Sequence, residues 1–107
     1  MRKITQEACY ALLHSKRYKH SNTRVEDGVM YLFDNAIATK FYGELYIHDG
    51  GHKSATTKER LNGLRGVEIK QKKGVWYLNG VVWDGTWTNV HPVGASAILK
   101  HMLQQDV

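Results

Sequence analysis

The segment Lys73-Gly-Val-Trp-Tyr-Leu-Asn-Gly-Val-Val-Trp-Asp-Gly-Thr-Trp-Thr88 decides the fold, and it contains all three tryptophans of the chain. Its Asn79-Gly80 pair lies between two runs rich in β-branched and aromatic residues. Asn-Gly in that setting is typical of a two-residue type I′ turn, because both central residues need a positive φ. Such a turn predicts one buried face that carries Trp76, Leu78, Val81 and Trp83.

Further strands are predicted on both sides of this hairpin. Residues 67–72 are predicted to form a strand with Val67 and Ile69 inward and with Glu68, Lys70 and Lys72 outward. Lys73-Gly74 can then turn the chain back into residues 75–78. A meander of three antiparallel strands results. An Asp84-Gly85 turn and a fourth strand at residues 86–89 are predicted to follow.

The N-terminal half predicts a second meander, with residues 20–23 as a polar connector ahead of it. A three-residue loop at 42–44 is favoured, because it pairs Phe41 with Leu45 and places Ile37 and Ile47 on one face. The predicted strands are residues 23–26, 29–33, 36–41 and 45–48, with the first two turns at Asp27-Gly28 and Asp34-Asn35.

Helices are predicted before, between and after the meanders. The first covers residues 4 to about 18, with Thr5 as its cap and a basic C-terminal end that suits the helix dipole. In the second, at about 57–64, Thr56 and Glu59 match a capping box. A third is predicted from residue 94 or 96 to about 104.

This order of elements predicts a single α+β domain, residues 1–107, with antiparallel β-meanders and two or three helices packed on one face. The chain has 107 residues and is 42% hydrophobic and 23% charged, which is typical of a globular protein and not of a disordered one. Cys9 is the only cysteine, so neither an intramolecular disulfide nor a thiolate zinc site is possible. Without a signal peptide or a membrane span, we expect a cytoplasmic protein.

The formal net charge of +5 and the pI of about 9.4 favour acidic partners. One interpretation is a nucleic-acid surface, and the alternative is a basic surface that serves solubility. The spacing of the tryptophans fits core packing better than base stacking. The residues expected to bind nucleic acid are Lys16, Arg17, Lys19, Arg24, Lys70, Lys72 and Lys73.

His48, Asp49 and His52 form the most ligand-like group of the chain. A distant fourth ligand is missing at a convincing position, and Asp-Gly-Gly is ordinary turn chemistry, so no metal site is predicted. Cys9 does not share a helix face with His14, and no two carboxylates form an acid/base pair. We therefore expect neither an enzyme nor a cofactor.

The glycine-bearing loop at residues 50–57 leads into the second predicted helix. Its backbone N–H groups can converge on one acceptor, and the helix start adds a partial positive charge. This pattern predicts an anion or partner site, and the alternative is a well-capped helix with no ligand. The predicted site residues are Lys53, Ser54, Thr57 and Lys58.

Two motifs carry a resemblance to a known family. The chain contains Thr56-Thr-Lys-Glu-Arg-Leu-Asn62 and, further on, a Trp-Tyr-Leu-Asn-Gly hairpin. It resembles a family of short, uncharacterised proteins encoded by tailed bacteriophages, which share a threonine-capped Lys-Glu-Arg-Leu-Asn helix and this hairpin. The resemblance implies an accessory gene expressed in an infected bacterium, and such genes often encode inhibitors of host enzymes or defence systems.

Three functional hypotheses follow. The first is a non-catalytic binder of a host protein or ribonucleoprotein that acts as an anti-defence or host-takeover factor. The second is direct binding of DNA or RNA, which the basic charge favours. The third is capture of a small anionic nucleotide ligand at the 50–58 loop.

Overall fold

The computed structural model describes residues 2–90, so the predicted C-terminal helix lies outside the described residues. The two helices and nine strands within these described residues confirm the predicted α+β class. In chain order they are α1 (Lys3–Leu13), β1 (Tyr18–His20), β2 (Thr23–Glu26), β3 (Val29–Leu32), β4 (Asn35–Phe41), β5 (Glu44–Ile47), α2 (Ala55–Leu61), β6 (Ile69–Lys72), β7 (Val75–Leu78), β8 (Val81–Val82) and β9 (Thr88–Val90). They form a six-stranded sheet, in the order β1-β2-β3-β4-β5-β9, and a three-stranded sheet β6-β7-β8. Every neighbouring pair of strands is antiparallel.

Two-residue turns join the strands that follow one another directly in the chain, from β1 to β5 and from β6 to β8. Asn79-Gly80 is such a turn, with positive φ at both residues, as predicted. Tyr42-Gly43 is another, and it pairs Phe41 with Glu44, so the predicted three-residue loop is wrong. The predicted Asp34-Asn35 turn is wrong by one position, because Phe33-Asp34 form the turn.

A β-bulge in β4 explains how Ile37 and Ile47 are both buried despite the shorter loop. Met30 pairs with Ala38, whereas the next residue, Tyr31, pairs with Ala36. The extra residue between them is Ile37, and a bulge lets two consecutive side chains face the same side. Ile37 and Ala38 therefore both enter the core.

Helix α1 is shorter than predicted, and its ends are stabilised differently. Thr5 is buried inside the helix and does not cap it. The helix ends at Leu13, and Tyr18 already belongs to β1, which the sequence did not predict. No basic residue lies in the last turn. Instead Lys40 of β4 donates a hydrogen bond from Nζ to the Leu13 carbonyl at 2.7 Å, so a cation from the sheet meets the helix C-terminus.

The central hairpin has the predicted register. Trp76 and Trp83 are buried, and their rings are stacked with centroids 6.1 Å apart. Val81 is an exception to the predicted buried face, since it is 69% exposed in the two-residue edge strand β8. The predicted fourth strand forms as β9, but it pairs with β5 in the larger sheet and does not extend the meander.

Cys9 lies in the hydrophobic core, and its Sγ contacts the Arg60 carbonyl at 3.4 Å. Burial raises the pKa of this thiol from 9.0 to about 12, partly offset by the positive charge of Arg60. The folded protein therefore keeps a proton that the unfolded chain loses near pH 9. We expect the free energy of unfolding to fall between pH 9 and 12, by about 1.4 kcal/mol per pH unit.

Urea unfolding of the parent and of a Cys9→Ala variant, followed across this pH range, measures the effect. The variant serves as the control, because its slope contains every other titrating group but not the thiol. Equal slopes for the two proteins would contradict the assignment.

Candidate functional site

Arg60, from the Lys-Glu-Arg-Leu-Asn motif, lies at the junction of both helices and the larger sheet. Its side chain is only 1% exposed and carries an ion pair to Glu59 of its own helix. Its Nη1 donates to Thr5 Oγ1 of α1 at 2.8 Å, and its Nε donates to Thr23 Oγ1 of β2 at 3.0 Å. The Thr5 hydroxyl donates in turn to Glu59 Oε1 at 2.6 Å. This arginine therefore joins three elements of the fold.

Two asparagines from the family motifs connect the parts of the chain around the smaller sheet. Asn62 Oδ1 accepts from the Ile69 N–H at 2.6 Å, and its Nδ2 donates to the Ile69 carbonyl at 3.1 Å. Asn79 Oδ1 accepts from the Glu68 N–H, and its Nδ2 donates to the Gly66 carbonyl, both at 2.9 Å. Together with Arg60, these side chains give the family motifs an architectural role.

The ligand-like group at residues 48–52 turns its side chains back onto its own loop. His48 Nδ1 accepts from the Gly50 N–H at 2.8 Å, and Asp49 Oδ1 accepts from the Gly51 N–H at 2.7 Å. Within residues 2–90, no three His, Cys, Asp or Glu side chains are grouped so that they could hold a metal ion.

Lys53 ties the same loop to the turn after the tryptophan hairpin. Its Nζ contacts Asp49 Oδ2 at 3.2 Å and the Asp84 carbonyl at 2.8 Å. A neighbouring backbone hydrogen bond, from Asp49 N–H to the Gly85 carbonyl at 2.8 Å, joins the same two segments. Lys53 therefore has a structural role beside any role in binding.

Gly85 permits this junction. Its φ of +90° suits glycine alone, and a Cβ there would overlap the Asp49 carboxylate. We expect Gly85→Ala to lower the free energy of unfolding by about 1–3 kcal/mol. Gly51→Ala is the control, since Gly51 also has a positive φ but open space around it. Equal urea midpoints for the two variants would show that the contact with Asp49 contributes nothing.

Helix α2 begins two residues earlier than predicted and is capped by a different residue. The Ser54 side chain accepts from the Thr57 N–H at 3.1 Å, and the two hydroxyls share a hydrogen bond of 2.9 Å. Thr56 is therefore not the cap. The Glu59 carboxylate accepts hydrogen bonds from Thr5 and Arg60 and does not complete a capping box. Lys58 donates to Gln71 Oε1 at 2.7 Å. Each of the four predicted anion-binding residues thus has a partner within the protein.

The basic residues predicted to bind nucleic acid do not form one patch along the chain. Lys16, Arg17, Lys19 and Arg24 lie in or next to β1 and β2, whereas Lys70, Lys72 and Lys73 lie in β6 and its turn. In the first group, Arg17 approaches Glu26 at 4.0 Å, and Arg24 pairs with Asp34 and covers the Tyr31 ring at 4.0 Å. Carboxylates therefore offset part of the charge of the first group.

Phe33 is the side chain that brings parts of both predicted sites together. It occupies the first position of the β3–β4 turn with φ 49°, and it is 66% exposed. On one side lies a cavity of about 190 Å³ whose lining includes Lys19 and Arg24. On the other lies a cavity of about 330 Å³ whose lining includes Ser54 and Thr57. We call Phe33 and these two cavities the Phe33 surface.

Sequence reasoning missed Phe33 because it assigned this residue to the end of a strand. The available signal was an aromatic residue directly before an Asp-Asn pair between two strands. That signal is weak, since bulky residues rarely adopt a positive φ.

The fold and this surface define a small antiparallel α+β protein with an exposed phenylalanine in a turn and with structural family motifs. Residues 1–95 match the family model described as Kyanoviridae Gp96 protein. The chain belongs to this bacteriophage family, which confirms the resemblance to phage proteins. Comparison with curated proteins and with solved structures found no match. Among residues 2–90, no helix is long and apolar enough to span a membrane.

Proposed function

We propose that this phage protein is a non-enzymatic accessory factor that binds a host protein or ribonucleoprotein in the cytoplasm of the infected bacterium. It would act there as an anti-defence or host-takeover inhibitor. The observation that carries the proposal is Phe33, an exposed aromatic ring held in a left-handed turn between two cavities.

A phenylalanine at position 33 destabilises the turn, so the needs of folding alone do not explain it. Asn or Gly is the preferred residue at the first position of a type I′ turn, and a bulky side chain with positive φ is strained. The ring also leaves most of its surface in water. Exposed aromatic rings commonly anchor protein interfaces by entering a partner's pocket, with small cavities beside them to receive the partner's side chains.

The non-enzymatic part of the proposal rests on how the reactive side chains are used. The Cys9 thiol has a raised pKa and is buried. Asp49 holds its own loop, and Glu59 with Arg60 joins the helices. These groups serve the architecture, which supports a protein that acts by binding.

A host macromolecule fits the Phe33 surface better than a small anionic nucleotide does. The larger cavity is lined by the Asp49 carboxylate, and the smaller one by Asp34 beside Arg24. The hydroxyls of Ser54 and Thr57 are bonded to each other. Free donors for a phosphate are therefore fewer than the sequence predicted.

The test is a Phe33→Asn variant, produced in host cells beside the parent. Asparagine suits the turn, so we expect the free energy of unfolding to stay within about 1 kcal/mol of the parent. We expect the variant to lose the host proteins that the parent captures, and phage carrying it to lose the benefit of the gene. Tyr10→Ser on α1 is the matched control, because Tyr10 is also exposed but lies outside both cavities. Unchanged capture by Phe33→Asn would contradict the proposal.

A further inference from the structure

The three-stranded sheet presents a second surface, on the side opposite to its buried tryptophans. We propose that this side binds single-stranded nucleic acid. We call it the lysine face, and its residues are Lys70, Lys72, Val75, Tyr77 and Val82.

The register of the sheet places these side chains together. Lys70 pairs with Tyr77, and Tyr77 pairs with Val82, so the three form one row across the strands. Lys72 pairs with Val75 in the next row on the same side. Side chains alternate between faces along a strand, and the intervening residues Ile69, Trp76 and Leu78 are buried. The lysine face therefore points away from the core.

Its exposure and charge suit a polyanion. Val75 and Val82 are 40% and 63% exposed, and both lysines are exposed. Lys70 approaches Glu68 at 3.3 Å, whereas Lys72 and the adjacent turn residue Lys73 have no ion pair within residues 2–90. In the other basic group, Arg17 beside β1 and Arg24 in β2 face carboxylates, whereas Lys16 and Lys19 have no ion pair within residues 2–90. Two of the three lysines of the smaller sheet therefore have no carboxylate partner among the described residues.

Single-stranded nucleic acid matches this combination of side chains. Proteins that bind single strands use lysines along the phosphate backbone and aromatic rings on which unpaired bases stack. The half-buried Tyr77 can supply the stacking ring, with Val82 beside it across the strands and Val75 two residues before it. A duplex hides its base faces and would use the lysines alone. This inference is independent of the Phe33 surface, which is formed by the larger sheet, the 49–54 loop and the start of α2.

The test uses the full chain and fluorescein-labelled single-stranded RNA and DNA of mixed sequence, with fluorescence anisotropy as the readout. We expect binding at low salt that weakens as salt rises. Lys70, Lys72 and Lys73, changed together to Gln, should flatten the dependence on salt by about one unit per lost phosphate contact. The control changes Lys16, Arg17 and Lys19 together to Gln, which removes the same formal charge next to the other sheet and should have a much smaller effect.

A Tyr77→Val variant separates stacking from charge. We expect it to weaken oligonucleotide binding about five-fold or more while leaving the salt dependence unchanged. Circular dichroism verifies that each variant is folded. The proposal is overturned by absence of oligonucleotide binding at low salt, by equal losses in the two triple variants, or by full affinity in Tyr77→Val. Binding to polyglutamate or to vesicles rich in phosphatidylglycerol, without binding to oligonucleotides, would assign the face to an acidic polypeptide or to anionic lipid instead.

Discussion

An Arg60→Ala variant is expected to lose about 3–5 kcal/mol of unfolding free energy, since removing one member of a buried ion pair leaves its partners unsatisfied. Glu59 would lose its cation, and the hydroxyls of Thr5 and Thr23 would lose their donor. A domain of this size is stable by only about 5–15 kcal/mol, so the variant should be partly unfolded near physiological temperature. Urea unfolding followed by circular dichroism measures the loss.

Two further variants separate the network from charge alone. Arg65→Ala removes an exposed arginine and should change stability by no more than about 0.5 kcal/mol. Arg60→Lys keeps the charge but lacks the planar guanidinium group that reaches both threonines and Glu59. Its free energy of unfolding should therefore remain well below that of the parent. A fully stable Arg60→Ala variant would show that the junction is held by apolar packing alone.

Truncation of Trp83 should have a comparable effect. The ring is buried against Trp76, and its Nε1 donates to Thr88 Oγ1 at 2.9 Å and to the Thr86 carbonyl at 3.1 Å. We expect Trp83→Ala to cost about 3–5 kcal/mol, as large core truncations do. The urea midpoint and the melting temperature, both followed by circular dichroism, measure this loss.

Trp87→Ala is the matched control, because Trp87 is 47% exposed and, within residues 2–90, its ring contacts only the tilted ring of His48, with centroids 5.0 Å apart. It should cost far less than Trp83→Ala. A third variant, Trp83→Phe, keeps most of the apolar surface and should lose about 1 kcal/mol for the missing indole hydrogen bonds. If Trp83→Ala melts within a few degrees of the parent, the hairpin is not part of the core.

Local turn chemistry made much of the fold predictable. Asn79-Gly80, Lys73-Gly74 and Asp27-Gly28 carry residues that favour a positive φ, and each forms the turn that was predicted. The misplaced Phe33-Asp34 turn begins with an aromatic residue that disfavours this conformation, so only a weak local signal marked it. The pairing of β9 with β5 joins segments that are far apart in the chain, and so does the contact between Lys53 and Asp84.

The candidate site was less predictable because its contacts also join segments that are far apart in the chain. Residues 50–58 have the composition of an anion loop, and nothing local shows that Lys53 and Lys58 reach across to Asp84 and Gln71. Thr5 and Glu59 both look like capping residues, yet they bond to each other across two helices. Burial of Arg60 depends on this same meeting of distant segments, which a single sequence does not reveal.

The central claim is that the Phe33 surface contacts a host macromolecule. The most direct measurement places a photo-crosslinking amino acid at position 33 in the full chain, produced during infection, and compares it with the same group at position 10. We expect a discrete host adduct at position 33 that is absent at position 10. Equal labelling at both positions, or no adduct at position 33, would contradict it.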